Sequence, residues 1–366
     1  MDGDRSEALC DTVRRAHAAG ESLRIVGSGS KAFLTAASKG SGRPTRLLPM
    51  AGHRGIIDYR PEELVITARA GTPLQDLECA LAERGQRLPF EPPQFDGAGT
   101  LGGAVACGLS GPGRPWRGAV RDAVLGVELI NGAGEHLRFG GQVMKNVAGY
   151  DVSRLQVGAF GTLGLLLAVS VKVLPAPPCE QTLLFELDAA TALERCRAWA
   201  RQPLPITASC YWNGRLWLRL SGAEAAVAWA REELGGELAS DDEGFWEALR
   251  DHRLAFFTQG GDSEAERPLW RCLLPPGATA PLADCLVTWA GGERWLRPAS
   301  AEEGARLGAA VRDCGGHARP FDGGYGMRAG SHVAVPEAHY AARLKLAFDP
   351  DGLLNPELSA AVPDAD

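Results

Sequence analysis

Four short stretches of this 366-residue chain consist almost wholly of small side chains, at positions where backbone could meet a ligand. The first is Gly27-Ser28-Gly29-Ser30-Lys31-Ala32, directly after the apolar run Leu23–Val26. Successive glycines and serines let N–H groups converge on an anion, with hydroxyls as further donors and Lys31 adding positive charge. An exposed turn of no special role would have the same composition. The second is Gly99–Gly108, which includes Thr100, Leu101, Gly102 and Gly103; a diphosphate or a flat ring approaches backbone closely only where Cβ atoms are absent or small. A tight helix crossing needs small residues too. The third and fourth are Lys145-Asn146-Val147-Ala148-Gly149-Tyr150-Asp151 and Gly158–Gly164.

The first stretch fits G-x-G-x-x-A, yet a dinucleotide fingerprint requires a helix at once after the glycines and an acid about 20 residues on. Residues 36–46 cannot form an amphipathic helix, and no Asp or Glu stands between Glu21 and Asp58. A Rossmann loop is therefore not expected.

Other chemistry has fewer carriers. The closest two of the nine cysteines are 13 residues apart, which leaves no C-x-x-C and no iron–sulfur spacing. An odd cysteine count without a secretory leader suggests reduced thiols in a cytosolic setting. His317 and Arg319 form the one local pair that could serve as base and carboxylate clamp, but no metal spacing surrounds them and an ordinary structural pair is favoured. A net charge of −7 argues against nucleic acid as a partner. The longest apolar stretch, Leu155–Val171, is broken by Gly158, Gly161 and Gly164, so it reads as loop plus buried strand rather than a membrane span.

The elements that must position these groups alternate. A helix is expected over 5–18, strands over Ile56–Tyr59 and Leu64–Ala70, and a helix capped by Thr72, Pro73 and Gln75 with Leu74, Leu77 and Leu81 as its buried stripe. Val124–Ile130 and His136–Phe139 flank a glycine turn, and Leu165–Leu174 is a strongly apolar strand that runs into three prolines. Beyond it, Thr182–Leu187, Ala189–Arg201, Ile206–Trp212, Arg215–Leu220 and Ala223–Leu234 read β-α-β-β-α, the order of a ferredoxin-like unit. A looser second copy is expected from Trp270–Leu274, a short helix near Pro281–Cys285, Leu286–Trp289, Arg294–Arg297 and a helix over Ala301–Asp313. A closing helix over Glu337–Phe348 leads to Asp349-Pro350-Asp351-Gly352-Leu353-Leu354-Asn355-Pro356.

The ordered series of glycine stretches resembles the FAD-binding domain of the vanillyl-alcohol-oxidase or p-cresol-methylhydroxylase (PCMH) type across roughly residues 20–175. Pro115–Asp122, Phe139–Asp151 and Pro203–Ile206 sharpen this to a resemblance, nearly end to end, to the FAD-binding E subunits of glycolate oxidase. The resemblance implies an α+β protein: a two-subdomain PCMH-type domain over 1–178, a ferredoxin-like cap domain over 179–335, and a C-terminal helix and tail over 336–366 that return to the first.

The cofactor implied is non-covalent FAD. Gly27, Ser28, Gly29, Ser30 and Lys31 would wrap its pyrophosphate. Thr100, Leu101, Gly102 and Gly103 would line pyrophosphate and flavin; Gly161, Thr162, Leu163, Gly164 and Leu165 would meet the adenosine; Asn355 would stand near the flavin. No histidine lies beside the first loop for covalent attachment, and Cys107 is the only thiol nearby.

The partners implied are a second, catalytic FAD subunit, an iron–sulfur subunit and a 2-hydroxy acid substrate, in the cytoplasm, with membrane attachment only through partners. Related catalytic subunits carry a Gly-Asp-Gly-Asn-type stretch and a Glu-His pair that this chain lacks. Three readings stay open: oxidation within a complex, a scaffold with structural FAD, and a self-sufficient hydroxy-acid dehydrogenase.

Overall fold

The long apolar run near residue 165 is the structural centre of the first half of the chain. The computed structural model describes residues 3–35, 43–95, 97–141, 150–239, 244–258, 267–278, 284–321 and 335–358. The chain divides into two compact units, one of Met1–Leu109, Ala119–Pro175 and Gly324–Asp366, the other of Ser110–Gly118 and Ala176–Gly323. A linear division at residue 178 leaves Ser110–Gly118 in the first unit, whereas this segment groups with the second. Within that second unit Arg117 Nη2 donates to Ser221 Oγ, 3.2 Å, and Trp289 Nε1 donates to Gly111 O, 3.0 Å.

In the first unit, strands β1 (Ser22–Val26) and β2 (Thr45–Pro49) pair in parallel. Strands β3 (Ile56–Arg60), β4 (Val65–Arg69), β6 (Val124–Ile130), β7 (His136–Gly140) and β8 (Leu165–Lys172) form an antiparallel sheet ordered β3-β4-β8-β6-β7. The short strands β5 (Gln86–Arg87) and β9 (Leu174–Pro175) pair beside it.

Seven of the eight residues of β8 are buried, because both faces of the strand are covered. Leu166, Val169 and Val171 pack with the helices Leu74–Ala82 and Leu101–Cys107, while Leu165 and Leu167 pack with Leu9 and Val13 of the helix Ser6–Ala19 and with Leu23 of β1. That two-sided burial explains why the sequence here is a continuous apolar run rather than an alternating one.

The capping expected at residue 72 is not formed. The helix begins at Leu74 with Pro73 in the cap position and no side-chain cap. The Thr72 hydroxyl instead accepts from Gly55 N–H, 3.0 Å, in a crossing where a Cβ on Gly71 would lie 2.0 Å from Met50 O. Tertiary contact outbid the local signal. Leu74, Leu77 and Leu81 are fully buried as the periodicity demands.

The second unit carries β10 (Cys179–Glu186), β11 (Ile206–Trp212), β12 (Arg215–Gly222), β13 (Glu237–Leu238), β14 (Trp270–Leu273), β15 (Leu286–Thr288), β16 (Glu293–Leu296) and β17 (His317–Pro320). Among the described residues they make one antiparallel sheet ordered β13-β10-β12-β11-β15-β16-β14-β17. Each half has the ferredoxin-like order, fourth-first-third-second, and the halves meet back to back where β11 pairs with β15. Asn213 and Gly214, both with positive φ, make the two-residue turn between β11 and β12. The helices Ala189–Trp199, Glu224–Leu234 and Ala301–Asp313 complete the repeats; the short helix expected near Pro281 falls largely outside the described residues.

The helix Val335–Phe348 brings the chain back to the first unit. Buried Asp349 accepts from the N–H groups of Leu353 and Leu354, at 2.9 and 2.7 Å, and from Lys345 Nζ at 2.5 Å. Lys345 also donates to Thr162 O and Leu354 O. Burial lowers the Lys345 ammonium from its ordinary range while Asp349 opposes that shift. Asp349→Ala should therefore destabilise the chain by about 3–5 kcal/mol, since it strands a buried ammonium; urea unfolding measures this.

His53 is buried between Arg5 N–H, which donates to Nδ1, and Leu167 O, which accepts from Nε2, so the ring is neutral and protonated on Nε2. Burial holds it below the usual imidazole range. The unfolded chain takes up a proton near pH 6.5 that the folded chain refuses, so this contribution to stability is complete above that pH and is lost as pH falls. Urea midpoints between pH 7.5 and 5 should decline, and His53→Gln should remove part of the slope.

Candidate functional site

A cleft in the first unit collects most of the glycine-rich backbone. It holds about 920 Å³ of space between atoms, its open mouth included, and is lined by Arg24 to Ala32, Met50, Ala70, Thr100, Gly102, Gly103, Ala106, Cys107, Phe160, Gly161, Gly164, Leu165, Leu166, Asn355, Glu357 and Leu358.

One wall is the loop that continues β1. Gly29 has φ +84 and, among the described residues, no atom beyond its chain neighbours lies within 4 Å of where its Cβ would stand. Among the described residues nothing accepts from the N–H groups of Ser28, Gly29 or Ser30. The Ser28 and Ser30 hydroxyls are 3.3 Å apart. Lys31 is buried, with its ammonium 5.4 Å from the centre of the Phe95 ring. Uncommitted amides, two hydroxyls and one ammonium together suit a diphosphate.

The opposite wall is the helix Leu101–Cys107, and here the geometry departs from expectation. Leu101 N–H donates to Thr72 O, Gly102 N–H to Ala70 O at 2.7 Å, and Gly103 N–H to Thr100 Oγ1. These amides are committed to protein, so the anion donors of the cleft belong to the 27–31 loop. Leu101 is fully buried in the core and does not line the cleft. A Cβ on Gly102 would lie 2.7 Å from Ala70 Cβ, and one on Gly27 2.8 Å from Thr100 Oγ1. Glycine at both positions is required for the chain to pack on itself.

The third wall is the loop after Gly158. Gly158 N–H donates to Val105 O and Phe160 N–H to Ala106 O, which pins the loop to the helix. Gly161 has φ +69, and its Cβ would stand 2.9 Å from Asn355 Nδ2. Gly164 and Leu165 line the cleft, whereas Thr162 and Leu163 do not; the Thr162 hydroxyl donates to Ala159 O. Lys145–Gly149 lies outside the described residues.

Asn355 closes the cleft by tying two walls together. Its Oδ1 accepts from Ile25 N–H at 2.7 Å, and its Nδ2 donates to Phe160 O at 2.6 Å. The sequence put Asn355 near the ligand but did not reveal the clamp. Arg24, Met50 and Glu357 were not singled out at all, and Phe160 only as part of the Gly158–Gly164 stretch; the first three come from separated segments, and no local spacing announces them.

The titratable side chains of the lining are Arg24, Lys31, Cys107 and Glu357. Burial pushes the Cys107 thiol up to about 11, which keeps it a poor nucleophile. His317 and Arg319 are not in this cleft: they occupy alternate positions on β17, the edge strand of the second unit, in register with Leu273 and Arg271. Among the described residues no group of three His, Cys, Asp or Glu side chains gathers to hold a metal, and no helix is long and apolar enough to cross a membrane.

Gly29→Val and Gly102→Val separate ligand space from packing. Gly29→Val should cost about 1–2 kcal/mol for its left-handed backbone yet sharply reduce bound flavin. Gly102→Val should lower stability first, through its clash with Ala70. Flavin content per folded chain, read beside thermal melting, distinguishes the two.

Residues 4–140 match the family model described as an FAD binding domain. Glycolate oxidase subunit GlcE of Escherichia coli (strain K12) is 46% identical over 359 residues, 96% of this chain and 97% of that one. Glycolate oxidase subunit GlcD of Bacillus subtilis (strain 168) is 35% identical over 138 residues, 37% of this chain and 29% of that one. A solved structure of alkyldihydroxyacetonephosphate synthase aligns with TM-score 0.66 at 16% identity, over 96% of this chain and 74% of that one, a likeness of fold alone. With an FAD binding domain at its N-terminal end and similarity that runs through both units, the chain belongs to the family of the glycolate oxidase subunit GlcE.

Proposed function

We propose that this chain is the FAD-binding subunit of a multi-subunit glycolate oxidase, taking part in oxidation of glycolate or a similar 2-hydroxy acid and passing electrons to partner subunits. The observation that carries this reading is the similarity to GlcE over 96% of the chain, since it covers both units rather than the cofactor fold alone. In this reading the first unit is the FAD-binding domain and the tandem ferredoxin-like unit is the cap domain of the family.

The residues of the cleft fit FAD. The N–H groups of Ser28 to Ser30, their hydroxyls and Lys31 would hold the pyrophosphate, and Gly103, Ala106 and Gly164 leave backbone accessible to flat rings. FAD, when bound, supplies an acceptor for the two electrons of the substrate C–H bond. In this reading the cofactor is held without a covalent link: burial keeps Cys107 a thiol, and among the described residues the lining contains no histidine.

Removal of the substrate's hydroxyl proton needs a base, and among the described residues the cleft lining offers Glu357 as its one carboxylate, on the segment that follows Asn355. That scarcity favours a division of labour: a second flavoprotein subunit oxidises the hydroxy acid, and an iron–sulfur subunit relays the electrons. It equally favours a second reading, in which FAD here is structural and the chain a scaffold. The cytoplasm, with membrane attachment only through partners, is the location that the proposed complex implies.

Anaerobic addition of glycolate to the purified, flavin-loaded chain should leave its visible absorbance unchanged, and mixing with the partner subunits should then bleach it. Bleaching of the isolated chain would instead establish a self-sufficient dehydrogenase. A flavin that stays oxidised in the fully active complex would establish the scaffold.

A further inference from the structure

We infer that Glu357 recognises the adenosine half of FAD, its carboxylate accepting a hydrogen bond from the donors of that nucleoside; this rests on the assignment of the cleft to FAD. Glu357 lines the cleft beside Arg24 and Ile25. Its Oε1 is fully enclosed, and no described residue donates a hydrogen bond to it. The nearest cation, Arg24 Nε, is 3.7 Å away, beyond hydrogen-bond length.

That ion pair does not account for the burial. The Arg24 side chain is 43% exposed and has water to satisfy it, whereas the Glu357 side chain is 11% exposed. A pair so open on one side contributes little, while an enclosed carboxylate oxygen without a donor is costly. The enclosed oxygen calls for an explanation; the part of the side chain that stays open, 11%, belongs to a residue lining the cleft, where the carboxylate can take a donor from a ligand. A carboxylate that receives ribose hydroxyls is a recurrent solution in nucleotide sites.

Position and charge agree. Arg24 and Gly27 are three residues apart on an extended strand, a span of about 10 Å, comparable with the length of a nucleoside. The uncommitted amides and Lys31 stand at the Gly27 end and the carboxylate at the Arg24 end. Negative charge on Glu357 disfavours phosphate there and attracts hydroxyl and amino donors. The cleft is thus polarised: diphosphate at the loop, adenosine towards Glu357 and beside Gly161, which puts Asn355 by the adenosine rather than by the flavin, where the resemblance had put it.

The test compares FAD with FMN, which lacks the adenosine. Apoprotein of the full chain and its Glu357→Ala and Glu357→Gln variants are titrated with each flavin, followed by fluorescence quenching and calorimetry. Glu357→Ala should weaken FAD binding roughly 10- to 100-fold, the worth of one hydrogen bond to a charged group, with FMN affinity unchanged. Glu357→Gln, which keeps an acceptor oxygen, should lose less. Unchanged FAD affinity, or equal losses for FAD and FMN, overturns the assignment. Should Glu357→Ala not fold, the isosteric Glu357→Gln decides by the same FAD-to-FMN ratio. Wild-type chain that takes up neither flavin would remove the FAD reading itself, whereas retention of full FAD affinity by both variants would remove only the role of Glu357.

Discussion

The side-chain amide of Asn355 makes both of its hydrogen bonds to backbone, one to the strand that feeds the 27–31 loop and one to the loop that carries Gly161. Its own N–H donates to Leu23 O, and its backbone adopts φ 42, a left-handed conformation that asparagine tolerates. Three bonds from one residue therefore fix the separation of two walls of the cleft. Asn355 is in turn placed by Asp349, whose carboxylate organises the turn before it and holds Lys345 against Thr162 O. A buried charge pair, a turn and an amide form one continuous chain of restraint, and the glycine loops are positioned at its end.

Glycine serves two separate purposes in the same site. At Gly27 and Gly102 the missing side chain lets one piece of the protein touch another; at Gly29 it permits a left-handed backbone with free space around it. The committed amides of the Leu101–Cys107 helix follow from the first purpose, since its start is pressed onto the segment just after β4 and hydrogen-bonded to Ala70 and Thr72. The open amides of Ser28 to Ser30 follow from the second. Anion binding and wall building are thereby divided between the two stretches, though their compositions look alike.

Much of the architecture was legible in the residues. The alternation of apolar positions located the helix at 74–82, and Asn213-Gly214 marked its hairpin because that pair suits a turn with two left-handed residues. The repeated β-α-β-β-α order disclosed the tandem ferredoxin-like halves. Local signals failed where distant chain intervened: Thr72 looks like a helix cap, but Gly55 claims its hydroxyl. Of the cleft, the backbone-lined parts were readable because small-residue runs are local features. Glu357, Arg24 and Met50 were not, because what gathers them is the return of the C-terminal segment across β1, and no spacing in the sequence encodes that return.

The return of residues 349–355 to β1 also has a consequence for how the molecule is made. The first unit takes in the chain up to Pro175 except Ser110–Gly118, yet its cleft lacks one wall tie until Asn355 arrives, 180 residues after Pro175. At ordinary ribosomal speeds of about 5–20 residues per second, that interval is roughly 10–40 s, during which β1 and the Gly161 loop exist on the nascent chain without their clasp. The tie between these two walls accordingly forms only after the second unit has been synthesised, and a chain that stops before Asn355 would leave the ribosome with the cleft unclasped.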